Sequence, residues 1–409
     1  MDSPCLKHMP VSKERVEMIR ERKNDCQGWI KELHRILCMQ GGDDDVSYAR
    51  NSEGPAMALR LSRPFITEGI RSMELFKGED SLRIADLGCA TGYNTLAAMD
   101  CVVDTLRSRY HQDFGYQPEI QAFFSDLPSN DFNSLFRLLP PMILSHDDDD
   151  HYAEETRDYY AAGVPGSFYY RLFPKGKLHV VLSLSALHWL SQIPETVLDK
   201  DSPAYNKGRA WIEGARKEVL EAYAKQSEED LKAFLQCRKE EMVKGGLLFI
   251  LMAGRSHPQR EDQLGDPDTR AKHPFTSSMD QAWQDLLDEG LIDEDTRDNF
   301  NIPAYMRSTD EVMEAFNQCN GFDVKKLEFK RIEEHTEEKQ QEWISDPVSY
   351  GRTKANLVRA TLKPIVLAHV GRTISEELFK RFEKIVSGDE EMLHKTCFYG
   401  VIVVCAVRK

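Results

Sequence analysis

Residues 84–95, IADLGCATGYNT, carry an apolar run through a single aspartate into a loop of small residues. The run is unbroken rather than alternating, as in a strand covered on both faces. Gly88, Ala90 and Gly92 follow Asp86 in D-x-G-x-A-x-G spacing, which lets a strand turn tightly into a helix while its backbone approaches a ligand. This is not the G-x-G-x-x-G of a dinucleotide loop, where a pyrophosphate rests on the helix N-terminus. Asp86 would repel a pyrophosphate and suits an ammonium group. A plain strand-to-helix turn explains the same small residues, so the loop by itself leaves both readings open.

The next apolar run, EIQAFFSDL (119–127), ends at Asp126. From Gly92 to Asp126 is 126 − 92 = 34 residues, enough for a helix, a loop and a strand. Asp126 then falls at the tip of the neighbouring strand, where a carboxylate can accept hydrogen bonds from both ribose hydroxyls of a nucleoside. The alternative role, a helix N-cap, suits Asn130 or Asp131 better. An ammonium site beside a ribose site describes the two polar ends of S-adenosylmethionine.

Further strand-length runs occur at 178–185, 245–254 and 398–407, and helical patterns at 94–109, 130–139 and 208–243. Strands alternating with helices predict an α/β fold with a doubly wound, mostly parallel sheet. The sheet core is expected at about 80–190, 236–255 and 321–409. Residues 36–60, 190–235, 256–320 and 331–362 hold more polar and helical sequence than a minimal sheet needs and read as an α-helical cap. Residues 1–35 read as a charged N-terminal extension with a weakly amphipathic helix. HDDDDH (146–151) reads as a solvated acidic loop, a His/Asp metal site being the alternative.

Composition narrows the function class. A net charge of −15 over 409 residues, without a basic cluster, argues against nucleic acid and for small-molecule chemistry. The nine cysteines are scattered and never in C-x-x-C spacing, which indicates neither zinc nor a disulfide framework and fits the cytoplasm. No signal peptide and no membrane-spanning run is visible.

Eight stretches in order, MQGGDDDVSYARNS, IADLGCATGYNT, FFSDLPSNDFNSLFRLLP, VPGSFYYRLFP, ALHWLSQIP, NKGRAWI, FNIPAY and VIVVCAVRK, resemble the SABATH family of S-adenosylmethionine-dependent methyltransferases over residues 36–409. The resemblance implies a Rossmann-like class I methyltransferase that methylates carboxyl groups or ring nitrogens of small plant metabolites. It places cofactor contacts at Tyr48, Ser52, Asp86, Cys89, Asn94, Asp126, Leu127, Ser167 and Phe168, beside the glycines Gly88 and Gly92. Phe168 would stack on adenine, with Ser167 at its edge. The substrate site implied by the family centres on Trp189, with His188 beside it. A carboxylate, with a pKa near ~4.3, is already ionised at neutral pH, so its methylation requires positioning rather than a base. Indole N–H orients it without a countercharge that would dull its nucleophilicity. Some members also place a cation, Mg²⁺ or Na⁺, on residues matched by Asn206, Asp298, Phe300 and Asn301; helix capping by Asn206 and Asp298 is the alternative. A homodimer is the family expectation.

Several positions depart from the family pattern. A glutamine that gives the carboxylate a second donor is Pro55, an aromatic four residues before the tryptophan is Ser185, a lysine is Gln40, and a gapless count puts Thr276 where another pocket aromatic belongs. Smaller side chains predict a wider cavity and a longer acid: cinnamic, indolic or terpenoid rather than benzoate-sized. Two alternatives to carboxyl methylation stand beside it: N- or S-methylation with His188 as base, and a cofactor-binding protein without catalysis.

Overall fold

The computed structural model describes Ile30 and residues 32–141, 156–256, 258–264, 276–333, 335–394 and 398–409. Most of the N-terminal extension and the whole acidic stretch 146–151 lie outside the described residues. The strands are β1 (Ser81–Leu87), β2 (Glu119–Asp126), β3 (Tyr160–Pro165), β4 (Leu178–Leu184), β5 (Met242–Ala253), β6 (Phe322–Glu333) and β7 (Phe398–Arg408). They form one sheet in the order β3-β2-β1-β4-β5-β7-β6. All neighbours are parallel except β7, which runs antiparallel to both β5 and β6. β1 and β2 thus lie side by side, which sets Asp86 opposite Phe124 and brings the two strand-end acids to the same edge of the sheet.

The helices are α1 (Leu33–Ile36), α2 (Glu53–Ser72), α3 (Tyr93–Phe114), α4 (Phe132–Arg137), α5 (Lys217–Glu241), α6 (Thr276–Asp288), α7 (Glu294–Asp298), α8 (Thr309–Cys319), α9 (Glu337–Ser345), α10 (Pro347–Ser387) and α11 (Glu390–His394). Unbroken apolar strands are covered on both faces, as their burial requires. One face packs Ile84, Val180 and Phe249 against Ala58 and Leu59 of α2 and Leu96 and Met99 of α3. The other packs Ala85, Val181 and Leu248 against Leu231 and Phe234 of α5 and Val312 and Phe316 of α8. A third core, built from Trp211, Trp283, Phe300, Tyr305, Trp343 and Phe379, lies in the helical part of the chain. α5 joins two cores: Val219, Leu220 and Tyr223 belong to the helical core, Leu231, Phe234 and Leu235 to the sheet. α10 is broken at Gly371, whose φ of 74° and ψ of 173° no helical residue adopts.

The helix expected from residue 208 begins at Lys217. α2 includes part of 36–60 and packs on the sheet and α3, while β6 reaches residue 333 and so overlaps the segment read as cap. Among the described residues no helix is long and apolar enough to cross a membrane.

Candidate active site

The turn after β1 is fastened to the end of β2. The amides of Gly88 and Cys89 both donate to the Ser125 carbonyl (2.8 and 3.1 Å), and Ala90 N–H donates to Asp126 Oδ2 (2.8 Å). Asn130 Nδ2 donates to the Ala90 carbonyl at 3.1 Å. Asp131 caps α4 through Ser134 N–H, which leaves Asp126 free of a capping role. Gly88 takes φ +86° and Ala90 φ +51°. A Cβ on Gly88 would lie 2.3 Å from that of Ala186, so both conformation and space demand glycine. Gly92 is extended, with φ −115° and ψ −179°, and a Cβ there would meet Ala49 Cα at an ordinary 3.4 Å.

Asp86 is buried and accepts from Thr95 Oγ1 at 2.5 Å through Oδ2, while Oδ1 has no hydrogen-bond partner. Burial pushes its carboxyl up to about 7; the Thr95 bond opposes the shift and the nearby Asp126 charge adds to it. Asp126 is pushed up to about 6, again by burial, with the Ala90 and Leu127 amides holding it down. Asp86 borders a cavity with Tyr48, Pro55, Cys89, Gly92 and Asn94. Ser52 lies just behind, accepting from Asn94 Nδ2 at 3.1 Å.

A second cavity shares Tyr48, Gly88, Ala90, Leu184 and Ser185 with the first. Its walls bring Asp126, Leu127, Ser167 and Phe168 together with Trp189. The tryptophan is held through its backbone. It forms an antiparallel bridge with Ala304, Leu190 N–H donates to the Pro303 carbonyl, Ser191 N–H donates to Asp230 Oδ2 (2.8 Å), and Arg307 donates to the Leu187 carbonyl. Ser185 closes β4 at φ +58°, a left-handed conformation that costs energy in a non-glycine residue and falls where the two cavities meet.

A family profile described as "SAM dependent carboxyl methyltransferase" matches residues 34–409. The chain belongs to this family. "Gibberellic acid methyltransferase 2" of Arabidopsis thaliana is 56% identical over 378 residues, covering 92% of this chain and 95% of the relative. "Gibberellic acid methyltransferase 1" of the same plant is 52% identical over 382 residues, 92% and 99% of the two chains. A loganic acid methyltransferase solved with SAH superposes with a TM-score of 0.75 at 30% identity, covering 91% of this chain and 99% of that one. The protein is a methyltransferase of the SABATH type that uses S-adenosylmethionine to convert carboxylates into methyl esters. The residues present fit that cofactor: a buried carboxylate oxygen of Asp86 without a hydrogen-bond partner suits the ammonium group, and Asp126 closes the neighbouring strand beside it.

Not every residue singled out in the sequence reaches these walls. His188 borders neither cavity; its ring packs at 5.3 Å from the Trp189 ring, and its carbonyl accepts from Tyr305 N–H. Thr276 is buried at the start of α6, also off both cavities. Asn206, Asp298, Phe300 and Asn301 do come together, yet as a hydrogen-bonded knot. Asp298 Oδ1 accepts from Gly208 N–H (3.0 Å) and Arg297 Nε (2.8 Å), and Oδ2 from Tyr205 OH (3.0 Å). Asn301 Oδ1 accepts from Asn206 Nδ2 at 2.7 Å. The Arg297 guanidinium supplies the countercharge, and both Asp298 oxygens and Asn301 Oδ1 already accept donors, so the set does not fit a resident cation and no step is routed through one.

The sequence reading missed the wall made by Leu33, His34, Leu37, Cys38 and Met39. LHRILCM shows apolar residues at helical spacing, but it falls at the edge of a charged leader. It is held from a distance: Gln40 N–H donates to the Ala360 carbonyl in α10, and Leu33 enters the helical core.

Proposed function

We propose that the methyl acceptor is the carboxylate of a gibberellic-acid-type terpenoid acid. Asp86 would hold the cofactor's ammonium group, Asp126 its ribose and Phe168 its adenine, with Tyr48, Ser52, Cys89, Asn94, Leu127 and Ser167 completing the site. Trp189 orients the acid. One carboxylate oxygen attacks the methyl carbon, the S–CH₃ bond breaks, and the sulfonium charge is cancelled as the ester and S-adenosylhomocysteine form; no proton moves. The observation that carries this reading is the shared cavity, in which Asp126 and Trp189 line one space while Leu33, Leu37, Met39, Leu184 and Leu190 supply hydrocarbon and no Lys or Arg. Such a wall favours a large apolar body, since burial is worth about 25 cal/mol per Å². The two gibberellic acid methyltransferases above half identity support the same class. A carboxylate is already ionised at neutral pH, so the reaction calls on no base, neither His34 in the wall nor His188 off it.

The reading includes a cytoplasmic homodimer with its methyltransferase domain starting near residue 36. Unpaired cysteines at Cys38, Cys89, Cys101, Cys237, Cys319 and Cys405 support the reducing compartment. The family match from residue 34 supports the boundary. Calorimetric titration of gibberellic acid into protein saturated with S-adenosylhomocysteine tests the substrate. Micromolar binding that weakens at least tenfold in Trp189→Phe is expected; no heat with gibberellic acid, while indole-3-acetic acid binds, would overturn it.

A further inference from the structure

The loop carrying Ser167 and Phe168 receives little support from its own backbone. Tyr170 N–H donates to the Ser167 carbonyl at 3.0 Å and Tyr169 N–H to Ser167 Oγ at 3.3 Å; most of the rest is exported to one place, the last turn of α5. Arg238 Nη1 donates to the Phe168 carbonyl (2.7 Å) and Nη2 to the Tyr170 carbonyl (3.0 Å). The Cys237 thiol lies 3.7 Å from the Tyr169 carbonyl between them. Glu241 Oε1 accepts from the amides of Leu172 (2.6 Å) and Phe173 (3.1 Å), while its Oε2 takes Arg238 Nε at 2.8 Å. Arg238 and Glu241 are both wholly buried.

We propose that the Arg238–Glu241 pair is a positioning device for the adenosine half of the cofactor, fixing the plane of the Phe168 ring from behind. A planar guanidinium with a rigid fork can span two carbonyls two residues apart, which an ammonium cannot. The same turn of helix grips the loop on both sides of Tyr170, a residue 65% exposed, so the backbone that carries the Phe168 ring cannot shift without breaking charge-assisted bonds in a buried site. The ring itself meets Phe234, one turn earlier on α5, edge to face at 6.0 Å between centroids, and Tyr169 at 4.7 Å. A buried ion pair is weak evidence of stabilisation, because hydrophobic residues of like volume serve as well. Here the pair does what such residues cannot: it accepts and donates to the backbone of the one loop that forms the cavity's adenine wall.

The inference rests on the placement of adenine against Phe168, and the test separates the two. Calorimetry with S-adenosylhomocysteine and with adenosine, together with steady-state kinetics at saturating acid, is run on the full chain and on Phe168→Ala, Arg238→Lys and Glu241→Gln. Arg238→Lys keeps charge and length and is the variant expected to fold; Glu241→Gln keeps the acceptor for Leu172 and Phe173 but drops the countercharge. Expected are a tenfold or greater loss of affinity for both ligands in Phe168→Ala and Arg238→Lys, a three- to fivefold loss in Glu241→Gln, and a matching rise in KM for S-adenosylmethionine. In Arg238→Lys and Glu241→Gln, kcat and the KM for the acid stay within about twofold, a split that general loosening of the fold would not produce. Unchanged affinity in Phe168→Ala would remove the placement of adenine and the proposal with it. Weakened binding in Phe168→Ala with wild-type affinity in folded Arg238→Lys would overturn the clamp alone. A parallel fall of every parameter in Arg238→Lys would make the pair merely structural.

Discussion

Asp86 should make cofactor binding depend on pH. Burial holds its carboxyl at about 7 in the ligand-free protein, and Oδ1 has no partner until a donor arrives. The ammonium group of the cofactor binds the ionised form. With a pKa of about 7, roughly 9% of the protein carries the charge at pH 6 and roughly 91% at pH 8. The affinity for S-adenosylhomocysteine should therefore rise about tenfold over that interval, or about 1.4 kcal/mol. Asp126, at about 6, adds to the slope at its acid end. Asp86→Asn keeps the shape and the Thr95 contact but removes the charge. A hydrogen bond to a charged group is worth about 1.5–3 kcal/mol, so the variant should bind roughly ten- to 150-fold more weakly at pH 8 and show little further dependence between pH 7 and 8.5. Isothermal titration from pH 5.5 to 8.5 reads both effects. A flat wild-type profile, or wild-type affinity in Asp86→Asn at pH 8, refutes the ammonium assignment.

The same shift has a consequence for the empty protein. An acid whose folded pKa is raised favours folding below its unfolded value near 3.8 and loses that contribution as pH rises through about 7, so the Tm gain on adding S-adenosylhomocysteine should be larger at pH 8 than at pH 6 in a thermal shift series. Gly88→Ala forces a methyl to 2.3 Å from the Ala186 Cβ at φ +86°, and calorimetry should find cofactor binding reduced more than a hundredfold or a Tm lower by several degrees. kcat at saturating cofactor should stay flat from pH 6.5 to 8.5, since a carboxylate nucleophile does not titrate there, and His188→Gln should change it less than threefold. Chelation by EDTA should leave kcat unchanged within error, because Asp298 is already neutralised by Arg297.

Much of the site was legible because its residues sit where strong patterns end. Asp86 and Asp126 close unbroken apolar runs, and a parallel pair of such strands has one geometry available, which brings their tips together. The edge strands were not legible for the opposite reason. β3 is built on AAGVP and β6 on KKLEFKR, small or charged residues that protect a sheet edge from other chains and erase the hydrophobic signal. Thr276 was placed by counting along the chain, and nothing local could show that α6 begins there facing away from the cavities. Arg238 and Glu241 looked like two more charges on a long amphipathic helix. Only the return of residues 168–173 against its last turn gives them four backbone partners, a tertiary fact with no local trace.

The proposed reaction esterifies the carboxylate of a large terpenoid acid held by Trp189 in an apolar cavity. One competition measures it most directly. Gibberellic acid, indole-3-acetic acid and benzoic acid are mixed at equal concentration with the enzyme and S-adenosylmethionine carrying a ¹³C methyl group, and the initial products are resolved by NMR and mass. The predicted result is a ¹³C methyl ester of gibberellic acid formed at least tenfold faster than the benzoate ester, and strongly slowed in Trp189→Phe. A benzoate ester formed first, or label on any atom other than a carboxyl oxygen, would contradict the account.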